Sequence, residues 1–166
     1  MSITGETTHS KLIGYCLLIF GFTGAHRFYF GKTVTGTIFF VLSILTGIGV
    51  AFWPLMILIW PFSVILGAWW VLDIFLMRKI ASEAEQSYIK GNYNYSVAWL
   101  LHTYSGLFGA HRFYLGKWVT GFLYLFTGGL LGIGVIYDFY TLNARVSEYN
   151  ASGKPAWWDR FLAQSN

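Results

Sequence analysis

The chain has 166 residues, of which 55% are hydrophobic, 20% aromatic and 11% charged, and its formal charge is +4. Ordinary soluble domains carry about 25% charged residues, so this composition excludes a typical soluble enzyme or nucleic-acid-binding domain and indicates a membrane protein. The eleven Lys and Arg lie along the edges of apolar runs, where attraction to anionic headgroups accounts for them.

Met1 to Ser10 carries Glu6 and no Lys or Arg. No cleavage pattern follows, so the first apolar segment is expected to be retained. That segment runs from about Lys11 to Phe28. It contains the single cysteine, Cys16, which reads as a small apolar residue. The second segment runs from about Thr33 to Phe52 and the third from about Pro54 to Met77. Residues 33 to 72 hold no Asp, Glu, Lys or Arg, a length that could cross a bilayer twice at about 20 residues per crossing. A polar stretch, Arg78 to Asn94, reads as a linker. Two further segments follow, from about Tyr95 to Phe113 and from about Trp118 to Leu142, and a polar tail begins at Asn143.

Thirteen residues are written almost twice: GAHRFYFGKTVTG from Gly24 and GAHRFYLGKWVTG from Gly109. The offset of 85 also pairs Gly21 with Gly106, Gly36 with Gly121, and Gly47-Ile48-Gly49-Val50 with Gly132-Ile133-Gly134-Val135. The next landmark is an Asp in apolar surroundings, Asp73 or Asp138, and its offset is 65. The first copy therefore holds twenty extra residues between its Gly-Ile-Gly-Val and its Asp, about one bilayer crossing of helix.

The expected fold is an all-α integral membrane protein, a helical bundle of about five transmembrane segments with internal duplication. Four crossings result if the insertion is re-entrant, as Pro54 and Pro61 would allow. The expected organisation is a first repeat at 11–78 with an extra hydrophobic segment near 51–70, a polar linker at 79–94, a second repeat at 95–142 and an interfacial tail at 143–166. An odd number of crossings in the first repeat would invert the second, as in many transporters. The distribution of Lys and Arg places the C-terminus in the cytoplasm, and a bacterial inner membrane is the expected location.

Within the motif, Gly31 and Gly116 can take the positive φ of a tight turn. Gly21 with Gly24, and Gly106 with Gly109, lie three apart and would let another backbone approach. Gly47 and Gly132 recur and are expected at a packing seam, ahead of Gly128. A buried guanidinium or carboxylate is costly unless paired, and both copies hold one of each. The expected ion pairs are Arg27 with Asp73 and Arg112 with Asp138, fixing helix register. A proton or anion site is the alternative.

His26 and His111 read as hydrogen-bonding residues near the interface, since a zinc site needs three or four ligands. No metal or cofactor is expected. His102 has Leu17 as its counterpart and stands outside the repeated constellation. Tyr29 and Tyr114 read as interface anchors that could reach headgroups. In the tail, Trp157, Trp158, Phe161 and Leu162 fall on one face of a short helix after Pro155, which would lie on the membrane with Lys154 and Arg160 near headgroups. Asn150-Ala151-Ser152 matches a glycosylation sequon that a cytoplasmic tail would leave unmodified. No catalytic or phosphate-loop motif is present, so an enzyme is not expected.

The segments GLFGAHRFYLGKWVTG followed by GIGVIYDFYTL, and GFTGAHRFYFGKTVTG followed at greater distance by VLDIFLM, resemble the TM-two domain family of paired transmembrane helices joined by a short loop. The resemblance covers roughly residues 11–78 and 95–142 and implies no enzymatic activity. Animal relatives with an Asp-Arg-Phe loop motif have been compared with receptors, but His26 and His111 occupy the acidic position here, so that comparison is not carried over. The resulting expectation is a structural or interaction protein that contacts membrane lipids, other membrane proteins or a second copy of itself, with no nucleic acid. The alternative is a small transporter or channel with a site between the repeats.

Overall fold

The computed structural model describes residues 8–19, 23–52, 54, 56–153 and 156–159. Its elements are helical: α1 (Lys11–Ile19), α2 (Ala25–Tyr29), α3 (Thr33–Ala51), α4 (Met56–Ser87), α5 (Tyr95–Ser105), a 3-10 turn (Gly106–Phe108), α6 (Ala110–Tyr114), α7 (Trp118–Leu131) and α8 (Ile133–Ala151). The chain divides into two compact units, an N-terminal unit of Ser10–Ala84 and a C-terminal unit of Met1–His9 with Glu85–Asn166.

In the N-terminal unit, α3 and α4 are long and apolar enough to cross a membrane. Their outward side chains are large and apolar, among them Val34, Ile57, Leu58 and Phe75, as lipid contact requires and water would penalise. The core sits at the other end of the hairpin, where Leu17, Phe28, Tyr29, Phe39 and Met77 are buried.

The expected count of five crossings is not supported. Among the described residues two helices are fit to span, or up to three if the bent pair α7 and α8 counts as one. The segments Lys11–Phe28 and Tyr95–Phe113 are not single helices. α1 has nine residues and α5 eleven, roughly 14 and 17 Å of helix against a core of about 30 Å.

The twenty extra residues of the first copy form neither a crossing of their own nor a re-entrant hairpin. α3 has 19 residues, whereas α7 keeps helical geometry only from Trp118 to Thr127 before Gly128. Asp73 lies seventeen residues beyond the start of α4, and Asp138 five beyond the start of α8. The insertion is shared between both arms of one hairpin and lengthens each. Pro61 lies inside α4, one turn from its start, where the amide it lacks costs a single bond.

The expected linker is largely helix, since α4 continues through Ala81, Glu83, Ala84 and Glu85 to Ser87. These are good helix formers, and Ile80, Ala81 and Ala84 bury one face of the extension.

In the C-terminal unit, Asn94 caps α5 by accepting a bond from the Ser96 amide at 2.8 Å, the usual role of Asn at that position. α7 ends in a left-handed turn, with φ of 58° at Gly128, 67° at Gly129, 55° at Leu130 and Leu131, and 83° at Gly132. Glycine adopts this conformation readily, while each Leu costs about 1–2 kcal/mol there. The turn bends α7 and α8 by 118°.

Candidate functional site

Each unit builds a buried cluster on one short loop. Gly24 (φ 70°) and Gly109 (φ 72°) turn the chain into α2 and α6, a conformation a side chain would strain. The bonds that follow match position for position. Arg27 N and Arg112 N donate to Gly24 O and Gly109 O at 2.9 Å, Gly31 N and Gly116 N to Phe28 O and Phe113 O at 2.9 Å, and Lys32 N and Lys117 N to Arg27 O and Arg112 O at 2.8 Å. Gly31 and Gly116 close the loops at φ 75° and 73°. This fold aims His and Arg inward from one short turn.

In the N-terminal unit both converge on Asp73 of α4. His26 Nε2 lies 2.7 Å from Asp73 Oδ2, Arg27 Nε donates to the same oxygen at 2.7 Å, and Arg27 Nη2 pairs with Oδ1. A carboxylate can only accept, so His26 carries its proton on Nε2. His26 and Asp73 have no exposed surface. The Arg27 guanidinium sits over the Trp69 ring at 4.6 Å, adding a cation–π contact to the bidentate pair.

The C-terminal cluster repeats these contacts and adds three polar residues. His111 Nε2 lies 2.7 Å from Asp138 Oδ2, and Arg112 reaches both carboxylate oxygens at 2.9 Å. Tyr124 donates its hydroxyl to Asp138 at 2.9 Å and accepts from Arg112 at 2.6 Å. Arg145 adds a second guanidinium at 2.7 Å. His102 packs edge to face on His111, with ring centroids 4.7 Å apart. By the offsets of 85 and 65, the positions of His102, Tyr124 and Arg145 correspond to Leu17, Phe39 and Ile80, all buried and apolar.

His102 therefore belongs to the constellation, contrary to the expectation from sequence. Reasoning from recurrence selects what two copies share, and His102, Tyr124 and Arg145 are where they differ. The usable signal was the presence of polar residues at positions whose counterparts are apolar.

His102, His111 and Asp138 each offer a ligand atom, and these atoms lie within 4.8 Å of one another. The residue types suit a transition metal. The charge does not, because two guanidinium groups already hold the one carboxylate and would repel a dication.

The remaining sequence-selected residues have distinct fates. Tyr29 is fully buried and does not meet headgroups; its hydroxyl accepts from Ser10 N at 2.7 Å, as Tyr114 accepts from Asn94 N at 2.8 Å. Both clamp the start of a helix. A Cβ on Gly106 would lie 3.3 Å from His102 Nδ1, so Gly106 is closely packed. Gly47 and Gly132 have open space where a Cβ would stand and form no packing seam. The close approaches fall instead at Gly36 against Phe28, Gly121 against Phe113 and Gly134 against Tyr124. Gly21 lies outside the described residues.

Over its described part the tail packs on the C-terminal loop. Trp157 Nε1 donates to Tyr114 O at 3.1 Å, and Trp158 stacks on the Tyr114 ring at 5.3 Å. Lys154, Pro155, Arg160, Phe161 and Leu162 lie outside the described residues.

No solved structure matches the chain. Its similar relatives include a TM2 domain-containing protein of Dictyostelium discoideum, 52% identical over 52 residues, which are 31% of this chain and 38% of that protein. TM2 domain-containing protein 3 of Xenopus tropicalis is 43% identical over 53 residues, 32% of this chain and 22% of that protein. The chain thus spans less than two fifths of the length of these relatives. Both are eukaryotic, and the expected bacterial inner membrane gains no support from them. The model of the TM2 domain matches residues 91–140, one copy rather than two. The residues similar to the TM2 domain are therefore those that carry His102, His111, Arg112, Tyr124 and Asp138, most of the C-terminal cluster.

Proposed function

We propose that the chain is a tandem of two TM2-like hairpins that acts in the membrane as a structural or interaction component, with each His-Arg-Asp cluster locking the loop to the hairpin of its own unit. The observation that carries this reading is the closure of both clusters. Each Arg is held by the Asp of the same unit, and every oxygen of Asp73 and Asp138 accepts at least one bond. Charges consumed in this way fix register and leave little for a substrate. The matching loop bonds support the tandem reading, and the apolar surfaces of α3 and α4 support insertion among lipids or against membrane partners.

The test pairs single and double replacements. Arg27→Met and Asp73→Leu should each lower the amount of folded protein in membranes, because each leaves a buried charge alone. The double variant should recover it. A double variant that is abundant and folded, yet has lost a transport activity shown by the parent in liposomes, would overturn the structural reading.

A further inference from the structure

From Trp118 to Tyr137 the chain runs twenty residues without Asp, Glu, Lys or Arg, which as one straight helix would span about 30 Å and cross the hydrocarbon core. The fold breaks this run in the middle. α7 keeps helical geometry only to Thr127, α8 starts at Ile133, and the bend between them is 118°. Each apolar arm is then about 15 Å long, half the thickness of the core. In the N-terminal unit the 19 residues of α3 reach about 28 Å at the same rise.

The two short arms are held against each other. Tyr124 of α7 donates its hydroxyl to Asp138 of α8 at 2.9 Å. A Cβ on Gly134 would run into the Tyr124 hydroxyl, and one on Gly129 would stand 2.7 Å from the Val135 side chain. Straightening the pair into a single span would pull Tyr124 off Asp138 and open the cluster.

The turn suits hydrocarbon better than water. Its tip is Leu130 and Leu131, both at φ 55°, with Leu131 90% exposed and Phe126 and Ile133 exposed beside it. In water that left-handed conformation falls to Gly, Asn or Asp, which tolerate it; leucine bears the strain and exposes an apolar side chain as well. Leu130 N donates to Thr127 Oγ1 at 3.0 Å and Gly132 N to Gly128 O at 3.2 Å, so these amides are satisfied inside the hairpin, as membrane depth requires. Charge gathers at the opposite end, where Lys117 precedes α7 and Arg145 and Glu148 follow the apolar part of α8. Trp118 packs there on Trp157 with ring centroids 5.1 Å apart, the residue type that settles at headgroup depth.

We propose that the α7–α8 hairpin is a wedge that enters one leaflet of a bilayer and turns back near the midplane, taking the acyl chains of that leaflet as its partner and leaving Lys117 and Arg145 on one face. The inference rests on the membrane reading above. It sets the C-terminal unit apart from the N-terminal one, whose two arms are long enough to span.

The test places single cysteines in the full chain, in a Cys16→Ser background, and applies a membrane-impermeant maleimide to spheroplasts and to inverted vesicles of an expressing bacterium. Lys117→Cys and Ser152→Cys should label from the same side. Leu131→Cys should label from neither side until detergent is added, and a nitroxide attached to it in liposomes should be reached by oxygen and shielded from a water-soluble nickel chelate. Labelling of Lys117→Cys and Ser152→Cys from opposite sides would make the pair one bent span. Labelling of Leu131→Cys from either side without detergent would put the turn in water. Both outcomes overturn the wedge. Release of the chain from the vesicles by alkaline carbonate would sink the membrane reading itself, whereas a retained chain with Leu131 in water sinks the wedge alone.

Discussion

His102 and His111 meet edge to face in the C-terminal unit with ring centroids 4.7 Å apart, where the corresponding positions of the N-terminal unit hold Leu17 and His26. Both ring nitrogens of His102 are buried without a hydrogen-bond partner among the described residues. An unmet buried polar group costs about 1–3 kcal/mol. His102→Leu, which installs the residue of the N-terminal unit, should therefore leave stability unchanged or raise it by up to that amount. Thermal unfolding in detergent reads the outcome, and a clear loss of stability would show that His102 has a partner after all.

The two aspartates should differ in weight. Asp138→Asn strands two guanidinium groups, Arg112 and Arg145, whereas Asp73→Asn strands Arg27 alone. Removing one side of a buried pair costs about 3–5 kcal/mol, so both variants should lose much of their folded population. Asp138→Asn should lose more. Equal unfolding midpoints for the two would mean that Arg145 adds nothing to the C-terminal cluster.

Glycines of the two kinds should respond in opposite directions. A Cβ on Gly109 would stand 2.7 Å from Tyr124 Cβ and 3.1 Å from Gly121 O, at φ 72°. Gly109→Ala should cost at least about 1–2 kcal/mol from backbone strain, plus the clash. Gly47 lies in α3 with nothing within 4 Å. Gly47→Ala should add about 0.5–1 kcal/mol through helix propensity. Melting temperatures that fall alike for both variants would contradict this division.

Lys117 gives a pH dependence of defined sign. Its folded value lies below the usual one, so the ammonium form carries a penalty in the folded state that is fully present below that value. As pH rises through it toward the unfolded value of about 10.4, the folded state releases its proton first, and stability gains from this group. Lys117→Gln should remove the gain and be at least as stable as the parent at pH 7. Parallel melting curves for the two proteins between pH 7 and 10 would refute it.

Sequence alone determined the membrane class, because solvent cost is local: forty residues without a charge cannot be exposed to water wherever they sit. Repetition brought out Arg27, Asp73, Arg112, Asp138 and the glycines of the loop, since a buried charge and a left-handed turn each demand a particular residue type. Tertiary structure decided the rest. Whether twenty extra apolar residues form a new crossing or lengthen two existing helices depends on where the chain turns. The apolar pattern is the same in both cases. Whether a glycine packs or faces open space depends on the neighbouring helix, so Gly47 and Gly121 look alike in the sequence and differ in the fold. The polar ring of His102, Tyr124 and Arg145 comes from three helices, and only packing brings Tyr124 and Arg145 to the Asp138 carboxylate and His102 onto the His111 ring.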